Sequence, residues 1–314
     1  MLTTAKPKDH IGDRVVVASL SGGKDSAAMC IHLQELGIPF KPVYMDTGWE
    51  APETYRYLTE TLPRFFGPIT ALRLEVKLPE DLEGIACEFE ERLGHYSAMV
   101  RLVLRKAMFP SRLQRWCTPS LKTELMRGYL QSCEDEPVNA VGIRGEESER
   151  RAAMPVWEWV DEYDCEMWRP IHDWTEEDVV AAHHRAGLPP NPLYLEGCRR
   201  VGCYPCIFAR KSEIRAIARQ SPERIQLIAD LELAITDRAN ERVAASGREP
   251  IGAPGWFQSR KGRTGEGWPI AKVVEWARTS HGGLQSELFE PHPSDRGCMR
   301  WGLCETHEPG LQQC

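Results

Sequence analysis

The feature that most constrains this chain is a loop near its amino terminus, where an apolar run meets a pair of glycines. The segment RVVVASLSGGKDSAAMC starts with branched residues 15–17 and continues at helical spacing after Ser26. It predicts a buried strand, a turn at Gly22 and Gly23, and a helix. Main-chain N–H groups and the positive end of the helix dipole converge at such a turn, which indicates an anion site suited to phosphate.

This loop differs from two widespread phosphate-binding motifs. If Gly23 and Lys24 are aligned with the end of G-x-x-x-x-G-K-[ST], Ala18 stands at the first glycine and Asp25 at the Ser/Thr. The loop also lacks the G-x-G-x-x-G pattern of dinucleotide-binding folds. The residues alone therefore predict phosphate at a helix N-terminus, with a plain tight turn as the alternative.

Strand-like segments alternate along the chain with segments long enough to contain a helix. The predicted strands are residues 15–20, 41–46, 71–76 and 138–143. This alternation predicts an α/β fold with a parallel sheet flanked by helices. Ligands of such sheets bind beyond the carboxyl ends of the strands, where the glycine loop, Asp46 and Arg144 would meet.

The rest of the chain reads as mainly helical. Thr175 begins a capping-box pattern that predicts a helix ending near Gly187, with one of His183 and His184 facing inward. Helical patterns return from about Lys211 to Arg242 and over residues 268–279. We predict a nucleotide-binding domain over residues 1–211, followed by a helical region with an irregular cysteine-containing tail over residues 212–314.

Composition limits the class of protein. The chain has 314 residues, 42% hydrophobic content and 11 cysteines, which suits a globular protein with reduced or metal-bound thiols. Its apolar runs fall short of the about 18 residues that span a bilayer, and its start lacks a signal-peptide pattern. We expect a cytoplasmic protein with no membrane partner.

The net charge of −7 argues against bulk electrostatic binding of nucleic acid. One stretch still accumulates positive charge without an acidic residue, and its members are Arg101, Arg105, Lys106, Arg112 and Arg115. It predicts either a local nucleic-acid face or a solvated helix surface.

Three cysteines lie within nine residues in EGCRRVGCYPC, at Cys198, Cys203 and Cys206. Thiolates in such clusters ligate iron–sulfur centres or zinc, and a four-thiolate site needs one more ligand. Cys117 is the first candidate, with Cys298 and Cys304 as alternatives. We favour an iron–sulfur cluster over structural zinc, and a site without metal remains the third interpretation.

Several motifs together resemble a known family. SGGKDS is similar to the PP-loop of the N-type ATP pyrophosphatases, and further motifs resemble the phosphoadenosine phosphosulfate (PAPS) reductase family. These motifs are MDTGWEAPETYRYL, RWCTPSLKTELM, GIRGEESERRA, WRPIHDWTEEDV and LPPNPLYLEGCRRVGCYPC, and they span roughly residues 14–211. The resemblance implies the adenine nucleotide alpha-hydrolase-like fold.

Departures from the reductase pattern imply a subtype. Lys24-Asp25 resembles enzymes that cleave ATP between its α and β phosphates, whereas reductases resemble SFGxE at this loop. Reductases also end in Glu-Cys-Gly-(Leu/Ile)-His, and Cys304 with His307 keeps only the Cys-x-x-His spacing. The pattern is most similar to iron–sulfur sulfurtransferases such as those of DNA phosphorothioation, in which four thiols would hold a [4Fe–4S] cluster.

The resemblance implies a mechanism and roles for individual residues. Ser21, Gly22, Gly23 and Ser26 would bind the pyrophosphate of ATP, Lys24 would offset its charge, and Asp25 or Asp46 would place Mg²⁺. Arg144 would clamp a phosphate. Cys117, Cys198, Cys203 and Cys206 would hold the cluster, a cysteine desulfurase or other donor would supply sulfur, and a nucleic acid could accept it.

Two alternatives remain from the sequence. The first is a reductase that releases sulfite from PAPS or adenylylsulfate, with Cys304 as the attacking thiolate. The second is a nucleotide sensor that kept the fold and lost turnover.

Overall fold

The computed structural model describes residues 7–112, 114–245, 247, 255–258, 267–279 and 301. Its centre is a six-stranded sheet, formed by β1 (Val16–Leu20), β2 (Phe40–Asp46), β3 (Thr70–Arg73), β4 (Val138–Val141), β5 (Trp157–Val160) and β6 (Cys165–Trp168). The strand order is β3-β2-β1-β4-β6-β5. All neighbours pair in parallel except the edge strand β5, which is antiparallel to β6. The predicted α/β fold with a parallel sheet is confirmed.

Helices surround this sheet and form most of the C-terminal part of the chain. They are α1 (Pro7–Ile11), α2 (Lys24–Glu35), α3 (Pro52–Arg56), α4 (Pro63–Phe66), α5 (Glu80–Leu93), α6 (Ala98–Lys106), α7 (Glu124–Gln131), α8 (Glu149–Ala152), α9 (Glu176–Ala186), α10 (Pro192–Leu195), α11 (Lys211–Gln220), α12 (Pro222–Ala234), α13 (Thr236–Ala245) and α14 (Ile270–Arg278). Tyr57–Thr61 and Pro119–Thr123 are π-helical turns, and Gly145–Glu147 is a 3-10 turn. β7 (Phe257–Gln258) pairs with β8 (Gly267–Trp268).

The four predicted strands are present, with ends shifted by a few residues. The hairpin of β5 and β6 was not predicted, because both strands are short and carry charged residues such as Glu158 and Glu166 among their aromatic ones. Pairing with β4 places β6 in the sheet. Pairing with a strand distant in sequence, rather than the local sequence pattern, thus determines that residues 165–168 form a strand.

Successive side chains of β1 point to opposite faces of the sheet, and both faces are apolar. Val16 and Leu20 lie in a core cluster with residues of α2 and α9, such as Met29. Val17 lies in the cluster on the other face, together with Met126 of α7. Because both faces are covered by helices, β1 is buried and holds the loop that follows it in a fixed position.

A further core joins the C-terminal helices to the sheet domain. It includes Leu102 and Leu104 of α6, Ile228 and Leu231 of α12, and Val273 of α14. The boundary at residues 211 and 212 stays a prediction, although α11 does begin at Lys211.

The predicted helix after Thr175 is confirmed in detail. The Thr175 side chain accepts a hydrogen bond from the Asp178 amide, the Asp178 carboxylate accepts one from the Thr175 amide, and Gly187 ends the helix. His183 is buried and His184 is exposed, so one histidine faces inward as expected. Within the described parts of the chain, every helix is too short or too polar to cross a membrane.

Candidate functional site

The glycine loop connects β1 to α2 as the sequence predicts. Gly22 has φ +71°, and a Cβ at this position would lie 2.9 Å from Cγ2 of Thr54. A side chain is therefore excluded both by the left-handed backbone and by the neighbouring residue. Lys24 begins α2, so the N–H groups of the first turn are directed to the carboxyl edge of the sheet.

The two serines of the loop bond within it. The Ser26 hydroxyl donates to the Gly23 carbonyl oxygen at 3.0 Å, and the Ser21 amide donates to Ser26 Oγ at 3.2 Å. The two hydroxyl oxygens lie 3.2 Å apart. These bonds keep the loop open around the first turn of α2.

A polar cavity of about 140 Å³ lies against this loop. Its lining comprises Ser21, Gly23, Lys24, Asp25, Ser26, Gly142, Glu147, Arg151, Tyr194, Arg199, Arg200 and Val201. Four of these residues are cationic and two are acidic. Together with the helix N-terminus, this charge balance suits an anionic ligand.

Lys24 is buried beside two carboxylates. Its Nζ lies 3.5 Å from an Asp25 oxygen and 3.4 Å from a Glu176 oxygen. Glu176 was not predicted as a site residue, because it comes from the first turn of α9. Lys24 and Asp25 thus lie together in the cavity, as the loop motif implies.

Arg144 lies at the rim of this site rather than in the cavity lining. Its Nε is 2.6 Å from Oδ1 of Asp25, and its guanidinium also contacts the Glu146 carboxylate. Burial lowers the pKa of Arg144, but these two carboxylates outweigh that effect and raise it above the ordinary value. In this structure Arg144 therefore holds Asp25 in place.

The cavity contains cations that the sequence did not assign to it. Arg151 pairs with Glu147, and burial together with the positive charge of Arg200 lowers the pKa of Arg151. Arg199 and Arg200 also line the cavity. In the sequence they are a pair of arginines between Cys198 and Cys203. Because they do not follow a predicted strand, their position in the cavity could not be predicted from strand ends.

Asp46 lies at the end of β2 in a separate polar network. Its Oδ1 accepts hydrogen bonds from the Gly48 amide at 3.0 Å and from the Tyr55 hydroxyl at 2.9 Å. The same Tyr55 hydroxyl lies 3.0 Å from Oε2 of Glu50, which is buried. Asp46 is absent from the residues that line the cavity, so its role as a Mg²⁺ ligand stays a prediction.

The cysteine loop is joined to the segment that follows β2. Glu50 and Cys203 form an antiparallel bridge. The Tyr204 amide donates to the Trp49 carbonyl oxygen at 2.9 Å, and the Trp49 indole donates to the Pro205 carbonyl oxygen at 3.2 Å. These bonds bring the predicted cysteine cluster to the same edge of the sheet as the glycine loop.

Cys117 and Cys206 lie close enough to Cys203 to affect its pKa. Burial raises the pKa of Cys203 to about 12, and the negative charges of Cys206 and Cys117 act in the same direction. The Lys122 ammonium lies nearby, and its pKa is raised by Cys203 first and then by Glu50, although burial opposes this. A cation therefore stands among these sulfur atoms.

The fourth predicted thiol has mainly apolar neighbours. Cys198 is buried in an apolar cluster with Ala51, Leu193, Tyr204 and Ile217. Among the described residues, no three His, Cys, Asp or Glu side chains come close enough together to hold a metal ion. The donor chemistry of Cys117, Cys203 and Cys206 suits a cluster, but a complete set of ligands is not assembled. Cys298 and Cys304 lie outside the described residues.

Comparison with known proteins agrees with this arrangement. The model of the phosphoadenosine phosphosulfate reductase domain matches residues 15–209, which contain both the glycine loop and the cysteine loop. The chain belongs to the PAPS reductase family. The expected family resemblance is thus confirmed, while the sulfurtransferase subtype stays a prediction.

Two proteins are similar in sequence to this PAPS reductase family member over more than half of its length. A protein of Escherichia phage 186, named only as an uncharacterized 37.8 kDa protein, is 34% identical over 92% of this chain and 96% of its own length. The adenosine 5'-phosphosulfate reductase of Allochromatium vinosum is 30% identical over 63% of this chain and 69% of its own length.

Among solved structures, a phosphoadenylyl-sulfate (PAPS) reductase from Candida auris in a phosphate complex is similar to this chain. It is 15% identical, has a TM-score of 0.46, and covers 64% of this chain and 89% of its own.

Proposed function

We propose that this chain is an ATP-dependent sulfurtransferase that cleaves ATP between its α and β phosphates. One observation carries the proposal: Arg199, Arg200 and Val201 line the cavity at the glycine loop and lead directly to Cys203. The segment that would contact phosphate is thus continuous with the thiol loop. The transfer of sulfur to a phosphate-activated acceptor needs both chemistries within one site.

In the proposed reaction, an oxygen of the acceptor attacks the α-phosphorus of ATP. A bond forms between that oxygen and phosphorus, the bond from phosphorus to the bridging oxygen breaks, and its electron pair leaves with pyrophosphate. N–H groups at the start of α2 would bind the leaving pyrophosphate, and Lys24 with Arg200 would offset its growing charge. A thiol reductant would release the donor's sulfur, from a desulfurase persulfide or another source, as hydrosulfide. The hydrosulfide sulfur then bonds to the activated atom of the acceptor, the bond from that atom to the adenylate oxygen breaks, and AMP leaves with the electron pair.

We propose that Cys117, Cys203 and Cys206 contribute to an iron–sulfur site, which would bind or deliver sulfur. Lys122 would balance part of the negative charge that thiolates bring to it. Cys198 remains the sequence-based proposal for a fourth ligand, with Cys298 and Cys304 as the alternatives. Among the residues that the structure describes, the set of ligands is incomplete.

A basic surface beside the thiols favours a nucleic acid as the acceptor. We name it the Phe208 surface, after an exposed ring on the turn that begins at Cys206. The guanidinium carbons of Arg112 and Arg115 lie 5.6 Å and 5.0 Å from the centre of this ring. Arginines beside an exposed aromatic ring suit phosphates and stacked bases.

Arg101, the first cation of the basic stretch, does not belong to this surface. It is buried, and its guanidinium binds Glu83 at 2.7 Å and Glu90 at 2.8 Å. The predicted basic face is therefore smaller than the sequence suggests. Its cations near Phe208 come from the loop after α6.

The proposal is tested by incubating the anaerobically purified protein with ATP, Mg²⁺ and candidate acceptors, and measuring pyrophosphate. Lys24→Ala should lower the rate about 100-fold, because it removes the cation closest to the leaving group. Lys41→Ala, an exposed lysine on β2, is the control and should leave the rate unchanged. Equal rates for Lys24→Ala and the parent protein would refute the assigned role of the loop.

A reductase is the second candidate, favoured by the 30% identity to an adenosine 5'-phosphosulfate reductase. It predicts sulfite from PAPS or adenylylsulfate in the presence of a thiol donor, abolished in Cys304→Ala. The transferase instead predicts pyrophosphate release that Cys304→Ala leaves intact. If the protein binds nucleotide and forms neither product, it is a sensor.

A further inference from the structure

A tyrosine hydroxyl stands at the point where the loop would bind phosphate. Tyr194 Oη accepts a hydrogen bond from the main-chain N–H of Lys24, with an O–N distance of 3.0 Å. This N–H belongs to the first residue of α2 and has no partner inside the helix. The phenol oxygen thus takes the place on this amide that an oxygen of an anion would take.

The tyrosine is held over the loop by its own short helix. Asn191 caps α10, and its Nδ2 also donates to the Gly22 carbonyl oxygen at 3.1 Å. A Cβ added to Gly23 would lie 3.3 Å from the Tyr194 oxygen, so the phenol approaches the loop backbone closely. The ring also lines the cavity.

The C-terminal tail contributes one aromatic ring to this contact. Trp301 is 1% exposed, and its ring centre lies 5.0 Å from that of His183 and 5.9 Å from that of Tyr194. Nε2 of His183 lies 3.0 Å from the Lys24 carbonyl oxygen. Trp301 therefore packs on the two rings that contact the main chain of Lys24.

Burial favours the neutral form of His183 in this group. Loss of hydration lowers the pKa of His183, although hydrogen bonds to the main chain of Lys24 and Leu188 oppose this. Nε2 faces the Lys24 carbonyl oxygen at 3.0 Å and Nδ1 faces the Leu188 carbonyl oxygen at 3.3 Å, so a neutral ring donates to only one of them, and the shorter distance favours Lys24. The contact therefore needs no charged histidine, and packing by Trp301 is consistent with it.

We propose that Tyr194 occupies the phosphate position of the free protein, that a nucleotide must displace its hydroxyl, and that Trp301 holds the tyrosine in place. The inference rests on the nucleotide binding proposed above. One N–H group cannot donate a full-strength hydrogen bond to a phosphate oxygen and to the phenol oxygen at once, so the two oxygens compete for it. By linkage, a bound phosphate weakens the packing of Trp301 to the same extent that Trp301 weakens phosphate binding.

Calorimetric titration of the full chain with pyrophosphate, and separately with ATP, tests the competition. Tyr194→Phe keeps the ring and removes the oxygen, so it should bind pyrophosphate about fivefold more tightly, the ratio for one net hydrogen bond. Trp301→Ala should bind about two- to threefold more tightly, and Trp301→Phe should lie between it and the parent protein. Tyr57→Phe is the control, because its buried hydroxyl donates to the Pro189 carbonyl oxygen at 2.7 Å and not to the loop.

Hydrogen exchange provides a second measurement, independent of affinity. Added pyrophosphate should speed exchange in α10, which carries Tyr194, and leave α12 unchanged. Unchanged or weaker pyrophosphate binding by Tyr194→Phe overturns the inference, and weaker binding would assign the hydroxyl to direct contact with the ligand. If the parent protein binds neither ligand, the proposed nucleotide binding fails, and the inference fails with it.

Discussion

Glu50 and Cys203 form a main-chain bridge that joins the end of a sheet strand to the thiol loop. Glu50 follows β2 closely, and Cys203 follows the arginines that line the cavity at the glycine loop. The glycine loop and the thiol loop therefore lie at the same edge of the sheet, as the proposed reaction requires.

The cavity arginines should control nucleotide affinity. Arg200→Ala should weaken binding of ATP and pyrophosphate about tenfold, because it removes a cation from a cavity beside a helix N-terminus. Arg210→Ala, an exposed arginine beyond the thiol loop, should bind as the parent protein does. Calorimetric titration at one fixed salt concentration measures both. Equal losses in the two variants would indicate a general charge effect and contradict the assignment.

The thiols should determine iron content. Cys117→Ser and Cys206→Ser should each lose most of the iron and sulfide of anaerobically purified protein, because both thiols lie near Cys203. Cys87→Ser is the control, since Cys87 is exposed on α5. Iron analysis and visible absorbance measure the outcome. Zinc in place of iron would contradict the cluster assignment.

Iron analysis of anaerobically purified protein also identifies the fourth ligand. Loss of iron in Cys198→Ser would assign Cys198, which packs here in an apolar cluster, to the iron–sulfur site. Retention of iron would direct the search to Cys298 and Cys304.

The Phe208 surface should bind single-stranded nucleic acid. Phe208→Ala and Arg115→Ala should each weaken binding about tenfold, through lost stacking and lost phosphate contact respectively. Trp159→Ala removes another exposed aromatic ring and should have no effect. Fluorescence anisotropy with a labelled oligonucleotide at several salt concentrations measures this. Binding that does not weaken as salt rises would argue against the surface.

Gly48 should tolerate no side chain. Its φ is +70°, and a Cβ there would lie 2.3 Å from Cα of Ser97, so Gly48→Ala should cost several kcal/mol of unfolding free energy or prevent folding. Gly94 has a similar φ of +76° but open space around it, so Gly94→Ala should cost only about 1 kcal/mol. Urea denaturation compares the two. A similar cost at both positions would mean that the contact with α6 is not as close as the structure has it.

Glu232 should make stability depend on pH. Burial raises its pKa from 4.5 to about 7, although the Trp256 and Ile270 amides donate hydrogen bonds to it. Between these two pH values the folded state keeps a proton that the unfolded state has released. The unfolding free energy should therefore fall as pH rises towards 7, by up to about 3 kcal/mol, and this contribution should stay constant above it.

Glu232→Gln removes this titration. Its unfolding free energy should fall less than that of the parent protein between about pH 5 and about pH 8 in urea denaturation. Glu223→Gln changes an exposed residue of the same helix and should keep the parent slope. Identical slopes for all three proteins would show that Glu232 does not titrate in this range.

Much of the site could be predicted from local pattern. The branched residues before Ser21 and the helical spacing after Ser26 predict the strand, turn and helix that place Gly22, Gly23 and Lys24. The capping box at Thr175 likewise predicts α9. Each of these depends on neighbours within a few residues, and short-range hydrogen bonding and apolar periodicity determine such elements.

Other parts depended on contacts between distant segments. The hairpin of β5 and β6 exists because β6 pairs with β4, and Arg101 is buried because α5 brings two glutamates to it. Arg144 contacts Asp25 instead of lining the cavity, while Arg200 does line it. Which of several arginines faces the cavity depends on how distant segments pack, so it cannot be predicted from local sequence.

The amino-acid sequence alone determined the class of fold, the glycine turn between β1 and α2, and the family, since these follow from motifs whose residues are adjacent. Tertiary structure alone decided that Tyr194 lies on the Lys24 amide, that Trp301 packs behind it, and that Cys198 packs in an apolar cluster. Those relationships depend on how side chains far apart in sequence fill a common space. Packing and charge balance in that space, unlike periodicity, are properties of the whole molecule.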